Sequence, residues 1–258
     1  MKVGVIGNGA IARYVMAALG KQGHVLAAQL LRPARVVPGE VGHVGAVADL
    51  PSGLDVMIDC AGHAALASHG PEILARGVDL ITVSLGALAD RDIMDALDEA
   101  AEAGGAKLHL ASGAIGALDC LMAAREGGLE SVTYTGRKPP KGWKGSPAEE
   151  VLDLNALTEG AQTHFQGSAR DAALRYPKNA NVAAAVALAG LGFDDTHVLL
   201  IADAGVTQNV HEVTASGAFG QFRFEISGHA LPDNPKSSAL AAMSVVSKLA
   251  QLNGRITL

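Results

Sequence analysis

With 258 residues the chain has room for one large domain or two modest ones, each with its own core. It is 49% hydrophobic and 18% charged and carries 31 glycines, which fits a compact α/β protein and excludes a disordered or fibrous one. Aromatic residues make up 3% and the net charge is −6, so neither base-stacking platforms nor a phosphate-backbone partner is expected; a local basic pocket for a small anion remains open.

The chain opens on Lys2-Val3-Gly4-Val5-Ile6, an apolar run of buried-strand length that stops at Gly7. After Ala10 the spacing turns helical, with Ile11, Val15, Ala18 and Leu19 on one side. Gly7, Gly9 and Ala12 fill the three small-residue places of the dinucleotide fingerprint. The first permits the turn, the second admits a pyrophosphate, and the third lets helix and strand pack closely. Free N–H groups at the helix start suit the phosphates. Gly7, Gly9, Ala10, Ile11 and Ala12 are therefore the expected cofactor contacts; the alternative is a plain glycine turn.

A helix end near Gly20 and a strand over Val25 to Leu31 follow. An acidic residue at the end of that strand would hold the adenosine ribose, and here the chain reads Leu31-Arg32-Pro33-Ala34-Arg35. Arg32 or Arg35 could pair with a 2′-phosphate, or both could be solvated loop arginines, so the expected cofactor is NAD or NADP. Pro38, Gly39, Gly42 and Gly45 interrupt any helix between Val36 and Leu50, and the second crossover reads as shortened. Val56 to Cys60 is a buried strand that delivers Ala61-Gly62-His63 to the carboxyl edge of the sheet; His63 could line the site or simply start a helix.

Leu80 to Ser84 and Lys107 to Leu110 complete the strand and helix alternation of a parallel sheet. Between them Asp90 opens a helix whose Asp92, Asp95, Asp98, Glu99 and Glu102 form a solvated face. Ala111 to Asp119 is rich in small residues and suits either main-chain contacts to a nicotinamide or an interdomain turn. Beyond residue 128, Ser131 to Thr135, Thr163 to Gln166, Val206 to Ala215 and Gln221 to Ser227 alternate, which predicts an antiparallel or mixed half-covered sheet. The basic stretch Arg137 to Gly145 holds the only tryptophan, Trp143, and reads either as a guide for a dicarboxylate or as an exposed loop.

Asn181 stands at the start of an alanine-rich helix, where its plain role is N-capping. His211 shares a strand face with Asn209 and Val213, while Glu212 points the other way. Pro232 to Ser238 breaks the sheet and caps a last helix running to about Leu252. Cys60 and Cys120 show no metal or redox spacing and read as buried thiols of a reducing compartment, with no metal expected. No signal peptide is legible before the first strand, and Val182 to Leu191 is too short to span a bilayer, so a soluble cytoplasmic protein without a membrane partner is expected.

Five blocks together are specific: residues 7–12, Ala111-Ser112-Gly113-Ala114-Ile115-Gly116, Tyr176-Pro177-Lys178-Asn179-Ala180-Asn181-Val182, Asn209-Val210-His211-Glu212 and Asn234-Pro235-Lys236-Ser237-Ser238. In order and spacing they resemble the L-aspartate dehydrogenase family over essentially the full length. The resemblance implies an α/β fold: a Rossmann-type doubly wound parallel sheet over residues 1–111, and an α+β catalytic and dimerisation domain with a mixed sheet over 112–235. It also implies that a terminal helix, 236–258, returns to the first domain. It further implies NAD(P)-dependent oxidation of L-aspartate to iminoaspartate, which hydrolyses to oxaloacetate and ammonia, or the reverse amination, with a homodimer as the expected assembly and pyridine nucleotide biosynthesis as the expected context. His211 falls at the family's active-site histidine, and Ala114 and Asn181 at cofactor contacts. An imidazole titrating near neutrality suits both the amine deprotonation and the activation of water. Lys236 with the following helix, or the basic loop, would meet the substrate carboxylates. The competing readings are another two-domain Rossmann reductase, homoserine dehydrogenase-like or dihydrodipicolinate reductase-like, and a non-catalytic NAD(P)-binding sensor.

Overall fold

The computed structural model describes residues 1–40, 42–177, 179–232 and 234–256, and for residues 235 and 236 the backbone alone. The chain forms two compact units, Met1–Gly113 with Ala241–Leu258, and Ala114–Leu240.

In the first unit β1 (Lys2–Ile6), β2 (Val25–Leu30), β3 (His43–Val44), β4 (Val56–Asp59), β5 (Asp79–Thr82) and β6 (Leu108–Leu110) form one sheet in the order β3-β2-β1-β4-β5-β6. All its pairings are parallel. The strand order reverses beside β1, where β4 lies on its other side; open α/β sheets bind ligands beyond the strands' carboxyl ends at such a point. Helices α1 (Ala10–Leu19), α2 (His63–Ala75) and α3 (Arg91–Gly104) make the crossovers. The second crossover, between β2 and β4, contains only short 3-10 turns and the two-residue β3, because prolines and glycines interrupt it. Val3, Val5, Ala12, Val15, Ile58 and Ile81 make the core, and Val245 and Leu249 of the last helix complete it. Asp90 is the N-cap of α3, and its carboxylate accepts from Asp92 N at 3.0 Å.

In the second unit β7 (Leu129–Lys138), β8 (Ala161–Ser168), β9 (His197–Asp203), β10 (Asn209–Gly217) and β11 (Gly220–Gly228) form a sheet ordered β11-β10-β7-β9-β8. It is mixed, since β7 and β9 run parallel and every other neighbour is antiparallel. Helices α4 (Leu118–Gly127), α5 (Ala169–Arg175), α6 (Asn181–Ala189) and the single turn α7 (Gly192–Asp195) belong to the same unit. α6 is apolar all round and correspondingly buried. Residues of one register, Val132, Tyr134 and Lys138 on β7 and His211, Val213 and Ala215 on β10, are buried, whereas Thr133, Thr135 and Glu212 of the other register are half-buried.

Three expectations need correction. Residues 234–238 are not a cap but a strand, β13 (Asn234–Ser238), paired with β12 (Ala230–Leu231) ahead of α8 (Ala239–Asn253). Cys120 is exposed and Cys60 only half-buried: on α4 the inner face belongs to Leu121 and Ala124, so Cys120 is left outside. Asn181 is the first residue of α6 and not its N-cap; Ala180 caps the helix and its carbonyl accepts from Ala184 N at 3.0 Å.

Candidate active site

At the carboxyl end of β1, Gly7 takes φ +94°, and a Cβ there would come 3.1 Å from the Cβ of Ala61. Its N–H donates to Leu30 O at 2.9 Å, and Gln29 Nε2 donates to its carbonyl at 2.9 Å, so the turn is fixed from both sides. Gly9 differs: its φ of −67° suits any residue, and a Cβ there would meet nothing within 4 Å. Nothing inside the protein demands glycine at this position, and the missing side chain leaves an open approach to the first turn of α1. That turn, Ala10-Ile11-Ala12, has no side-chain cap and no acidic residue, so its N–H groups suit an anion. Ala12 is fully buried in the core, where a larger residue would push the helix off the sheet. These features fit a dinucleotide pyrophosphate.

Two guanidinium groups reach the same turn: Arg13 Nη1 donates to Asn8 O at 2.9 Å and Arg35 Nη1 to Asn8 Oδ1 at 3.1 Å. Arg32 is exposed just beyond β2. At the end of β4, Asp59 is fully buried, a feature the sequence reading passed over. Its Oδ2 accepts from Thr82 Oγ1 at 2.9 Å and from Ser84 Oγ at 2.6 Å, and its Oδ1 from Ala61 N at 2.9 Å. Burial raises its pKa and these hydrogen bonds oppose the rise. The carboxylate thereby ties the exit of β4 to that of β5. His63 begins α2 behind Gly62.

In the second unit, His211 lies on β10 opposite Gly136 of β7 and is 4% exposed. Its Nδ1 is 2.8 Å from the Tyr134 hydroxyl, and the two rings stack at 6.1 Å between centroids. Tyr134 Oη passes over Gly136, where a Cβ would lie only 2.7 Å from it; the missing side chain makes room for the contact. Burial, with the Lys138 charge second, lowers the His211 pKa to about 3, so the imidazole is neutral at physiological pH. Burial alone keeps Tyr134 a phenol by raising its pKa.

Lys138 and Trp143 correct the exposed-loop alternative. Lys138 ends β7 on the inward register, and Trp143 is fully buried with its Nε1 donating to Ile201 O at 3.0 Å. The basic stretch is thus half core, with Lys141 and Lys144 on its outside. The signal was available in the alternation Val132, Tyr134, Gly136, Lys138, which puts this lysine on the same face as the buried tyrosine. Around Lys138 and Trp143 stand Asn179 and Tyr176, both from the 176–182 block, and His164, which nothing in the sequence marked.

Ala114 is buried, and Ala117, three residues on, takes φ +59° as it caps α4; it is the only non-glycine with positive φ among the described residues. Phe224 of β11 packs against Gly116 in between, where a Cβ would come 2.8 Å from its ring. Asn181 is half-buried at the first position of α6. The side chain of Lys236 lies outside the described residues. Among the described residues no group of three or more His, Cys, Asp or Glu is placed to hold a metal ion, and no helix is long and apolar enough to cross a membrane.

Two family models match the chain. The C-terminal domain of aspartate dehydrogenase matches residues 119–252, and the NAD-binding domain of homoserine dehydrogenase matches residues 7–111. The L-aspartate dehydrogenase of Ruegeria pomeroyi is 54% identical over 99% of this chain and 94% of its own length. That of Pseudomonas aeruginosa is 51% identical over 86% and 80%. Among solved structures, the aspartate dehydrogenase of Thermotoga maritima superposes with a TM-score of 0.77 at 26% identity, covering 100% of this chain and 99% of its own. A hyperthermophilic archaeal homoserine dehydrogenase in complex with NADPH, at 9% identity and a TM-score of 0.62 over 98% and 97%, shares the fold alone.

Proposed function

The chain belongs to the L-aspartate dehydrogenase family, and on that premise we propose that it is an NAD(P)-dependent enzyme interconverting L-aspartate with iminoaspartate, and so with oxaloacetate and ammonia. The observation that carries the reading at the level of residues is the His211 imidazole, buried, neutral and oriented through Nδ1 by the Tyr134 hydroxyl.

The bound nicotinamide supplies the hydride acceptor. Gly7, Gly9 and the first turn of α1 would hold its pyrophosphate, with Ala114 and Asn181 as further contacts. His211 carries the proton traffic. For Nε2 to accept a proton, the hydrogen of the neutral ring must sit on Nδ1 and be donated to the Tyr134 oxygen, and the 2.8 Å contact suits that tautomer. Nε2 then takes a proton from the substrate ammonium, leaving the amine lone pair to assist loss of hydride from Cα. Once that proton has passed to solvent, the same nitrogen is free to remove a proton from the water that attacks the imine carbon. Burial of the imidazole limits its basicity in the free protein, and the negative charge of a bound dicarboxylate raises it again.

For the cofactor, we propose that NADP is accepted as well as NAD. Two features support this reading: residues 31–35 at the end of β2 include no carboxylate for the ribose, and Arg32 and Arg35 there could pair with a 2′-phosphate. The test is the appearance of reduced nicotinamide with L-aspartate and each cofactor in turn. Aspartate-dependent reduction of both is the expected result. An enzyme that binds cofactor and leaves aspartate untouched defeats the proposal.

A further inference from the structure

Lys138 is a buried cation without an anion among the described residues. It is 9% exposed, its Nζ donates to Asn179 Oδ1 at 2.9 Å, and it stands 4.6 Å from the centroid of the Trp143 ring. Among the described residues no carboxylate pairs with it, although Arg137 next in the chain has its own partner in Asp203 at 2.8 Å. Taking an ammonium out of water costs several kcal/mol, and one amide oxygen and one ring face do not return that amount. Burial accordingly pulls the Lys138 pKa down to about 8.

The neighbours add unmet polarity. His164 sits at the bulge of β8, between Thr163 opposite Ile201 and Phe165 opposite Leu200, and a bulge re-aims the side chain it carries. The ring is 5% exposed, edge-on to Trp143 with centroids 4.3 Å apart, and its Nδ1 is 3.2 Å from the Tyr176 hydroxyl. Its Nε2 is buried without a hydrogen-bond partner among the described residues. The charge of Lys138 acts on His164 and on His211 alike, lowering both. Arg175, the other cation acting on His164, is exposed and has Glu150 as its partner at 3.4 Å, so among the described residues the buried part of the cluster holds the Lys138 ammonium, two neutral imidazoles and no carboxylate.

We propose that Lys138 receives a carboxylate of the substrate, an inference that rests on the aspartate reading above. One of the three N–H donors of Nζ is held by Asn179, which orients the group and leaves two for carboxylate oxygens. On the sheet, His211 faces Gly136 and Lys138 lies two residues further along the same face. Such diagonal neighbours are ~7–8 Å apart at the backbone. A four-carbon diacid with a hydrogen bond at each end bridges a gap of that order between imidazole and ammonium. Its arrival also offsets the Lys138 charge, the lesser of the two causes that lower His211, so the substrate itself raises the basicity of the imidazole.

The experiment compares wild type, Lys138→Met and Lys138→Arg with both cofactors saturating. It measures kcat and KM for L-aspartate, the competitive inhibition constant of succinate, reduced-cofactor affinity and the melting temperature. Lys138→Met is expected to raise KM and the succinate constant together by about 10- to 100-fold. Cofactor affinity should hold, and the melting temperature should hold or rise because an unpaired buried charge has gone. Lys138→Arg should recover part of the loss. Unchanged KM and succinate constants in Lys138→Met, with a lowered melting temperature, would make Lys138 a structural residue and overturn the inference. Quenching of bound reduced-cofactor fluorescence by succinate separates the two readings. If wild type binds succinate through Lys138 yet does not oxidise aspartate, the proposed function fails and the carboxylate site stands.

Discussion

At the carboxyl end of β1 the first unit offers bare backbone: Gly7 in a left-handed turn, Gly9 with open space where a side chain would be, and an uncapped first turn of α1. On β7 and β10 the second unit offers the reverse, with His211, Tyr134 and Lys138 held almost out of water and shifted from their ordinary pKa values by burial. A dinucleotide phosphate carries permanent charge and needs only oriented N–H donors. Moving protons at an amine needs a group whose protonation changes, and burial is how the protein sets that group. One site is therefore made by removing side chains and the other by confining them.

The largest effect expected from this contrast is at His211. His211→Asn keeps a side chain of polar character and should lower kcat by about 10²- to 10⁴-fold, while reduced-cofactor fluorescence titration shows unchanged affinity. Equal losses in kcat and in cofactor affinity would mean that the imidazole holds the cofactor and does not carry protons.

The two glycines of the first unit should fail differently. Gly9→Val meets open space, so its melting temperature should stay near wild type while cofactor affinity falls by about 10- to 100-fold. Gly7→Val forces a branched side chain into φ +94° against Ala61 and should cost about 1–3 kcal/mol of stability before any ligand is added. If chemical denaturation finds Gly9→Val as unstable as Gly7→Val, the space before α1 is not a ligand approach.

Tyr134→Phe is a smaller perturbation. It removes the hydroxyl that orients His211 and leaves the ring packing, so kcat should fall by about 10-fold with KM nearly unchanged. A loss as large as that of His211→Asn would mean that Tyr134 itself exchanges protons with the substrate.

This difference between the units also decides what could be read from the sequence. The parallel sheet, the glycine turn and the shortened crossover are each written in a continuous stretch, and turn and period rules suffice for them. The mixed sheet was legible strand by strand except for β9, whose Val198-Leu199-Leu200-Ile201-Ala202 run is apolar almost throughout and hides its alternation. The buried polar cluster was legible only in part: strand parity could place Lys138 beside Tyr134, but not the partners that meet them. Tyr134 and His211 are 77 residues apart, and Lys138 and Asn179 are 41 apart, so only the β7–β10 register and the turn before α6 bring them together. The basic, proline-flanked segment read either as a guide for a dicarboxylate or as an exposed loop, and strand parity carries Lys138 inward.

The weakest expected effect tests the confinement itself. His164 and His211 have folded pKa values near 4 and 3 against 6.5 for the free side chain, both chiefly through burial. Above pH 6.5 neither the folded nor the unfolded chain holds these protons; below it the unfolded chain binds them and the folded chain does not. Stability should then fall as pH drops from 6.5 toward 4, by roughly 1 kcal/mol per pH unit for each histidine. Asp59, whose pKa is raised, works in the opposite sense, and it is common to wild type and variant. The difference between wild type and His164→Gln, followed by chemical denaturation across that range, isolates one proton: the variant should lose stability less steeply by one histidine's share. Equal slopes would show that His164 takes up its proton while folded, which its unpartnered Nε2 could do only by finding an acceptor inside the cluster. An anion on Lys138 would be such an acceptor, so repeating the titration with succinate should flatten the wild-type slope and leave that of His164→Gln less changed.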